Sequence, residues 1–200
     1  MRRALRILVP LAAAFAAVFT LGTSAFAGTV TPGGTFTATL APWTVANPAT
    51  GFNVTCASLA LHGSLMSSSS PTIGHFTSAA ATSCVGPGGI AVTETFLGLP
   101  WTINETAYNS STGVALGTFT GLRVQLTGPL CGATVAGAGG GTSPATLTWS
   151  HSNSSPQLLT VTGGGLHVFN VTGCFGLLHN GDSVTVGSNA FTLSPPQTIS

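Results

Sequence analysis

From Thr35 onward the chain keeps returning to one pattern, a short run in which apolar and polar residues alternate, stopped by glycine, proline or an Asn-Gly turn. Thr35-Phe36-Thr37-Ala38-Thr39-Leu40 is one such run. In another, Ala145, Leu147 and Trp149 alternate with Thr146, Thr148 and Ser150. A period of two belongs to a half-buried strand, whose successive side chains point to opposite faces. No amphipathic helix interrupts the series. About ten short strands at roughly ten-residue spacing predict one all-β domain, an antiparallel β-sandwich, with a β-barrel as the alternative.

The stretch Ile90 to Leu126 organises this reading. Two strands, Ile90 to Leu97 and Trp101 to Tyr108, lead through Asn109-Ser110-Ser111-Thr112-Gly113 into a long third, Val114 to Leu126, whose alternation slips at Gly121 and predicts a bulge there. Further strands are expected at Phe52 to Leu61, Ile73 to Ala80, Cys131 to Val135, Leu158 to Thr162, Leu166 to Cys174, Ser183 to Val186 and Asn189 to Leu193. One helical turn is expected at Phe175 to His179. Residues 28–34 and 194–200 read as loose ends, Pro195-Pro196 opposing further pairing of the tail. Pro42-Trp43-Thr44-Val45 and Pro100-Trp101-Thr102-Ile103 are similar, but the cysteines do not follow the same offset, so they do not establish a duplication.

Met1 to Ala27 reads as an export signal: Arg2, Arg3 and Arg6 precede an apolar run from Ile7 to Leu21, then Ala25-Phe26-Ala27 offers the small-x-small pattern of a cleavage site. Cleavage after Ala27 leaves residues 28–200 as a secreted domain. The apolar run is shorter than the roughly 20 residues a spanning helix needs, and no later stretch qualifies. With the leader go three of the four basic residues, so Arg123 faces Glu94, Glu105 and Asp182 for a formal net charge of −2, against +1 for the whole sequence. One arginine and no lysine cannot neutralise a phosphate backbone, which excludes nucleic acid and anionic membranes as expected partners. Low charge leaves little repulsion between copies, so self-association is compatible with this surface. Its polar face must be built from the 29 Thr and 19 Ser that follow Ala27.

Cys56, Cys84, Cys131 and Cys174 are even in number in an exported chain, and two disulfides follow. Of the three possible pairings the nearest-neighbour one, Cys56 with Cys84 and Cys131 with Cys174, is expected, since each bond then ties one half of the domain. Gly98-Leu99-Pro100-Trp101-Thr102-Ile103-Asn104, the Tyr108 to Gly113 turn and Leu166-His167-Val168-Phe169-Asn170-Val171-Thr172-Gly173-Cys174 together resemble small secreted β-proteins of Gram-positive actinobacteria. The resemblance runs from about Asn53 onward. It implies export and a β fold and brings no catalytic residues with it.

Candidate chemistry is sparse. A hairpin turning at Gly98-Leu99-Pro100 would set Glu94 and Glu105 on neighbouring strands, the carboxylate pair a glycosidase uses, against the simpler reading of two solvated acids at strand ends. Trp43, Trp101 and Tyr108 offer flat faces for sugar rings, against burial in the core, which the apolar alternation around Trp101 favours. Gly181-Asp182-Ser183-Val184 matches an esterase motif but opens the last hairpin, with no histidine after His179. His62, His75, His151, His167 and His179 contain no metal-like pair, and the cysteines no Cys-x-x-Cys, so neither metal nor cofactor is expected. Leu99-Pro100-Trp101-Thr102 lacks the glycine, apolar tail and basic end of a cell-wall sorting signal.

The expectation is therefore an exported, non-catalytic structural or interaction module, secreted or held at the cell wall, with glycan as the ligand class and Trp101, Tyr108 and Trp43 as contacts. The alternative is a β-barrel carrier of a small apolar ligand, with a cavity lined by Phe96, Leu122 and Val168. A hydrolase using Glu94 and Glu105 comes third.

Overall fold

A computed structural model describes residues 28–187 and 189–200; the leader, Met1 to Ala27, lies outside the described residues. Seventeen strands form among the described residues. In chain order they are β1 (Val30–Thr31), β2 (Gly34–Leu40), β3 (Trp43–Asn47), β4 (Phe52–Cys56), β5 (Ser58–Leu65) and β6 (Thr72–Thr82). Then come β7 (Cys84–Val85), β8 (Ala91–Leu97), β9 (Trp101–Asn109), β10 (Val114–Gly128), β11 (Cys131–Gly137) and β12 (Ala145–Ser152). The last are β13 (Leu158–Thr162), β14 (Leu166–Gly173), β15 (Ser183–Val186), β16 (Asn189–Ser194) and β17 (Thr198–Ile199). Where one helical turn is expected at Phe175 to His179, a three-residue 3₁₀ turn forms instead at Cys174–Gly176.

The pairings close a barrel. Around it run β2, β5, β6, β9, the first half of β10, β12, β13 and β16, which returns to β2, every neighbour antiparallel. The other strands repeat the same circular order above it: β3, β4, β7, β8, the second half of β10, β11, β14 and β15, back to β3. Each lower strand continues into an upper one, β2 into β3, β4 into β5, β6 into β7 and so on round the ring. The molecule is thus an up-and-down meander of eight long antiparallel strands, seven of them broken at mid-height and only β10 unbroken. The all-β class and both disulfides hold, and of the two architectures it is the barrel, not the preferred sandwich, that matches. A sandwich would leave its sheet edges unpaired, whereas here β9 and β8 both return to β10.

At mid-height in β10, where its pairing passes from one tier to the other, sits Gly121, with φ +110° and a shift in register between Thr120 and Leu122, the predicted bulge. Phe52 to Leu61 also divides, at Ala57, because its two parts pair in different tiers. The upper tier is less regular. Its β4–β7, β7–β8, β14–β15 and β15–β3 contacts span one or two residue pairs each. Cys56–Cys84 joins the two strands that descend from and return to this tier, and Cys131–Cys174 joins β11 to the turn after β14.

Alternation fills the inside. Phe36, Phe76, Phe119 and Trp149 form a chain of aromatic contacts across the lower barrel, with centroids 5.5, 5.0 and 5.9 Å apart. Gly117 makes room for it, since a Cβ there would overlap the Trp149 ring and the Asn104 carbonyl. The termini are not loose. β1 pairs with β17, Thr29 and Ser200 exchange backbone hydrogen bonds of 2.6 and 2.9 Å, and Asn153 bonds both the N–H and the carbonyl of Ile199. Pro195-Pro196 ends β16 without stopping the tail from pairing, because the tail pairs with β1 instead.

Candidate functional site

Glu94 and Glu105 both point inward, contrary to the expectation of solvated acids. The hairpin that would have joined them does not exist: β8 and β9 do not pair with each other, and the chain at Gly98 to Pro100 passes from the upper tier to the lower. Glu94 lies opposite Leu126 and Glu105 opposite Gly117, nine positions apart on β10. At about 3.3 Å per residue that is about 30 Å of strand. A glycosidase pair needs carboxyls roughly 5 to 10 Å apart, so these two share no site.

Each acid has its own surroundings. Glu94, 8% exposed, accepts a 3.0 Å hydrogen bond from Trp43 Nε1, while its Oε1 has no partner among the described residues. Burial raises its pKa to about 7, an effect the Trp43 bond partly offsets. Its carboxylate lies within 4.8 Å of the Sγ atoms of Cys56 and Cys84. Those sulfurs are joined in a disulfide, so this grouping is not a set of thiolate ligands. Glu105 is 1% exposed, its Oε2 has no partner among the described residues, and burial raises its pKa.

The aromatic contacts expected for sugar are displaced too. Trp43 and Trp101 are each 4% exposed, and Trp101 donates its indole N–H to the Leu97 carbonyl at 2.9 Å. Both belong to the core, where each N–H finds a partner inside, and neither offers a free ring face. Tyr108 is half-buried. The interior is closed to ligand as well. The cavity lined by Trp43, Phe76, Phe96, Trp101, Leu122 and Phe191 holds about 30 Å³, and Val168 is not among its walls. About 10 to 15 Å³ of such space holds one water molecule, so there is room for a water or two, far below a ligand pocket of roughly 300 Å³ or more.

Asp182 caps a turn. Its Oδ2 accepts from Asn47 Nδ2 and from the His179 backbone N–H, both at 2.8 Å, while Ser183 is exposed with no side-chain partner among the described residues. His151 is fully buried, with Nε2 2.7 Å from the Gln197 carbonyl, and burial lowers its pKa. No helix of the described residues is long and apolar enough to cross a membrane. The outward positions of β9, β10, β12 and β13 carry mostly hydroxyl side chains.

What the sequence does not reveal is how the hydroxyls of that wall line up across strands. Across β9, β10, β12 and β13 the outward positions register as Asn104, Thr118, Thr148 and Thr162 in one row and Thr102, Thr120 and Thr146 in the next. Thr148 and Thr162 meet through their hydroxyls at 2.6 Å. The signal was present as Thr-x-Thr in several strands, but only the register shows that the strands align their threonines. Two open hollows of about 320 and 340 Å³ flank the end of β16. Asn153, Gln157 and Thr192 help line the first, and Thr35, Thr37, His62 and Thr77 the second. Comparison with protein-family models, with curated proteins and with solved structures gives no match.

Proposed function

We propose that this is an exported, non-catalytic binding module whose neutral, hydroxyl-rich wall adheres to a polyhydroxylated polymer of the cell wall or the surrounding matrix. The observation that carries the reading is the aligned Asn104-Thr118-Thr148-Thr162 and Thr102-Thr120-Thr146 rows. In a sheet such rows recur about 4.8 Å apart between strands and about 6.7 Å along them, a periodic field of donors and acceptors. Each hydroxyl contributes only about 1 kcal/mol net, so binding comes from many contacts to a repeating, uncharged partner. The filled interior and the separation of the two acids favour this reading over carriage of an apolar ligand or hydrolysis.

The test is co-sedimentation of the secreted protein with isolated cell walls and a panel of insoluble neutral polysaccharides, beside a Thr118→Lys/Thr148→Lys variant. Saturable pelleting that the variant loses by at least about tenfold is expected, since two charges would break the field of matched hydroxyls. Retention in the supernatant with every polymer would reject the reading. Trp101→Ala is unsuitable here, because it removes a core ring.

A further inference from the structure

The lower end of the barrel contains a buried acid without a partner and, beside it, the residue at which the export signal is expected to be cut. Glu105 is 1% exposed and its Oε2 is unbonded among the described residues. The only acid–base pair within 4 Å among those residues is His179 with Asp182, at the other end of the molecule. Of the remaining cationic groups, Arg123 lies in the upper half of β10, His62 meets Thr37 Oγ1, His167 the Gly181 carbonyl and His151 the Gln197 carbonyl, and neither these nor His75 is hydrogen-bonded to Glu105 among the described residues. An ionised carboxylate in such a place costs several kcal/mol unless a cation or donors meet it.

Gly28 is buried against it. A Cβ built on Gly28 would overlap Glu105 Oε2, and would also lie 2.6 Å from Ile73 Cγ2. The carboxylate oxygen is therefore within about 4 Å of the Gly28 Cα, and the backbone nitrogen sits about 1.5 Å from that same Cα. Gly28 is also held in place. Its carbonyl accepts from Ser68 N at 2.9 Å, Thr29 is bonded to Ser200, and Val30 N donates to Ser67 Oγ at 2.9 Å. In the uncut chain that nitrogen is a neutral amide. Hydrolysis of the Ala27–Gly28 bond by an export peptidase consumes one water, leaves a carboxylate on Ala27, and gives Gly28 an amine that takes up a proton.

We propose that the α-ammonium of Gly28 is the missing partner of Glu105, a buried ion pair created by leader removal that locks the lower end of the barrel. The positions fit no larger residue at 28, because only glycine leaves the carboxylate room. Processing then does more than release the chain: it supplies a charge the interior lacks. This inference rests on export and cleavage after Ala27 and is independent of what the threonine wall binds.

The chain contains no lysine, so an amine-acylating ester labels only the α-amine of the secreted protein. The intact mass of that protein should show Gly28 as its first residue. Acylation in the folded state should be at least about tenfold slower than in the reduced, urea-unfolded chain, the effect of one unit in amine pKa or of equivalent shielding. Glu105→Gln should abolish most of that protection. A variant with one extra glycine between Ala27 and Gly28, which moves the amine without touching the interior, should label like the unfolded chain and unfold at lower urea. In that background Glu105→Gln should no longer destabilise. A first residue other than Gly28 would overturn the proposal, as would full-speed acylation of the folded wild type or an equal effect of Glu105→Gln with and without the extra glycine. If Glu105→Gln does not fold, the labelling rates of the wild type and the glycine-insertion protein decide alone.

Discussion

Glu94 and Gly117 are two residues whose behaviour can be read directly from what surrounds them. Glu94 has a folded pKa of about 7 against an ordinary 4.5, so between these values the folded protein holds a proton that the unfolded chain has released. Its contribution is present below about pH 4.5 and is lost as pH rises through 7, a loss of about 3 kcal/mol. Urea unfolding of wild type and Glu94→Gln at pH 5 and pH 8 should show the variant gaining relative stability at the higher pH. His151, with a lowered pKa, acts in the opposite sense as pH falls below its ordinary value of 6.5, and cancels in that difference. At Gly117 even a methyl group would meet the Trp149 ring and the Asn104 carbonyl. Gly117→Ala should therefore cost about 1 to 3 kcal/mol by overpacking, seen as a lower unfolding midpoint. Neither effect is legible in the sequence, where Glu94 follows the alternation of Ile90 and Val92 and gives no sign that an indole N–H awaits it.

Among elements, β10 is the one that both tiers share, and the tiers differ in how well they are paired. In the lower barrel, β10 with β12 and β5 with β6 each share eight residue pairs, with one shift of register in each. Upper contacts fall to one or two at four places, so hydrogen exchange should be faster in β3, β7 and β15 than in β5, β10 and β12. The disulfides compensate for this weakness. They close loops of 28 and 43 residues, each worth about 4 kcal/mol in the chain-entropy model. Removing Cys131–Cys174 by a double alanine substitution should raise exchange in β11 and β14 first and leave β5 and β6 nearly unchanged. Most strand positions and the Gly121 bulge could be read from alternation and spacing, but not β1 and β17, whose short runs read as loose ends, and the cysteine pairing that forms is one of three that the spacing alone allowed. The division of Phe52 to Leu61 could not, because its two halves keep the same alternation while pairing with different neighbours.

For the whole molecule the decisive fact is that the barrel is full. The three apolar cavities lined by Phe52 and Leu177, by Trp43 and Phe191, and by Phe36 and Ile199 hold only about 20, 30 and 10 Å³, so an apolar fluorescent probe should gain no emission with the native protein and gain it only on unfolding. Strong, saturable binding to the native state would favour the carrier alternative over the binding module. Alternation, turn residues and the four cysteines by themselves determined an all-β chain with two disulfides, an apolar inside and a hydroxyl outside, since these follow from local sterics and from which atoms avoid water. Only the tertiary structure decided that the strands close into a two-tiered barrel, that Trp43 and Trp101 turn inward, and that Glu94 and Glu105 stand at opposite ends of it. Closure and register depend on pairings between residues far apart in the chain. A period of two says which side of a strand is buried, not which strand lies beside it.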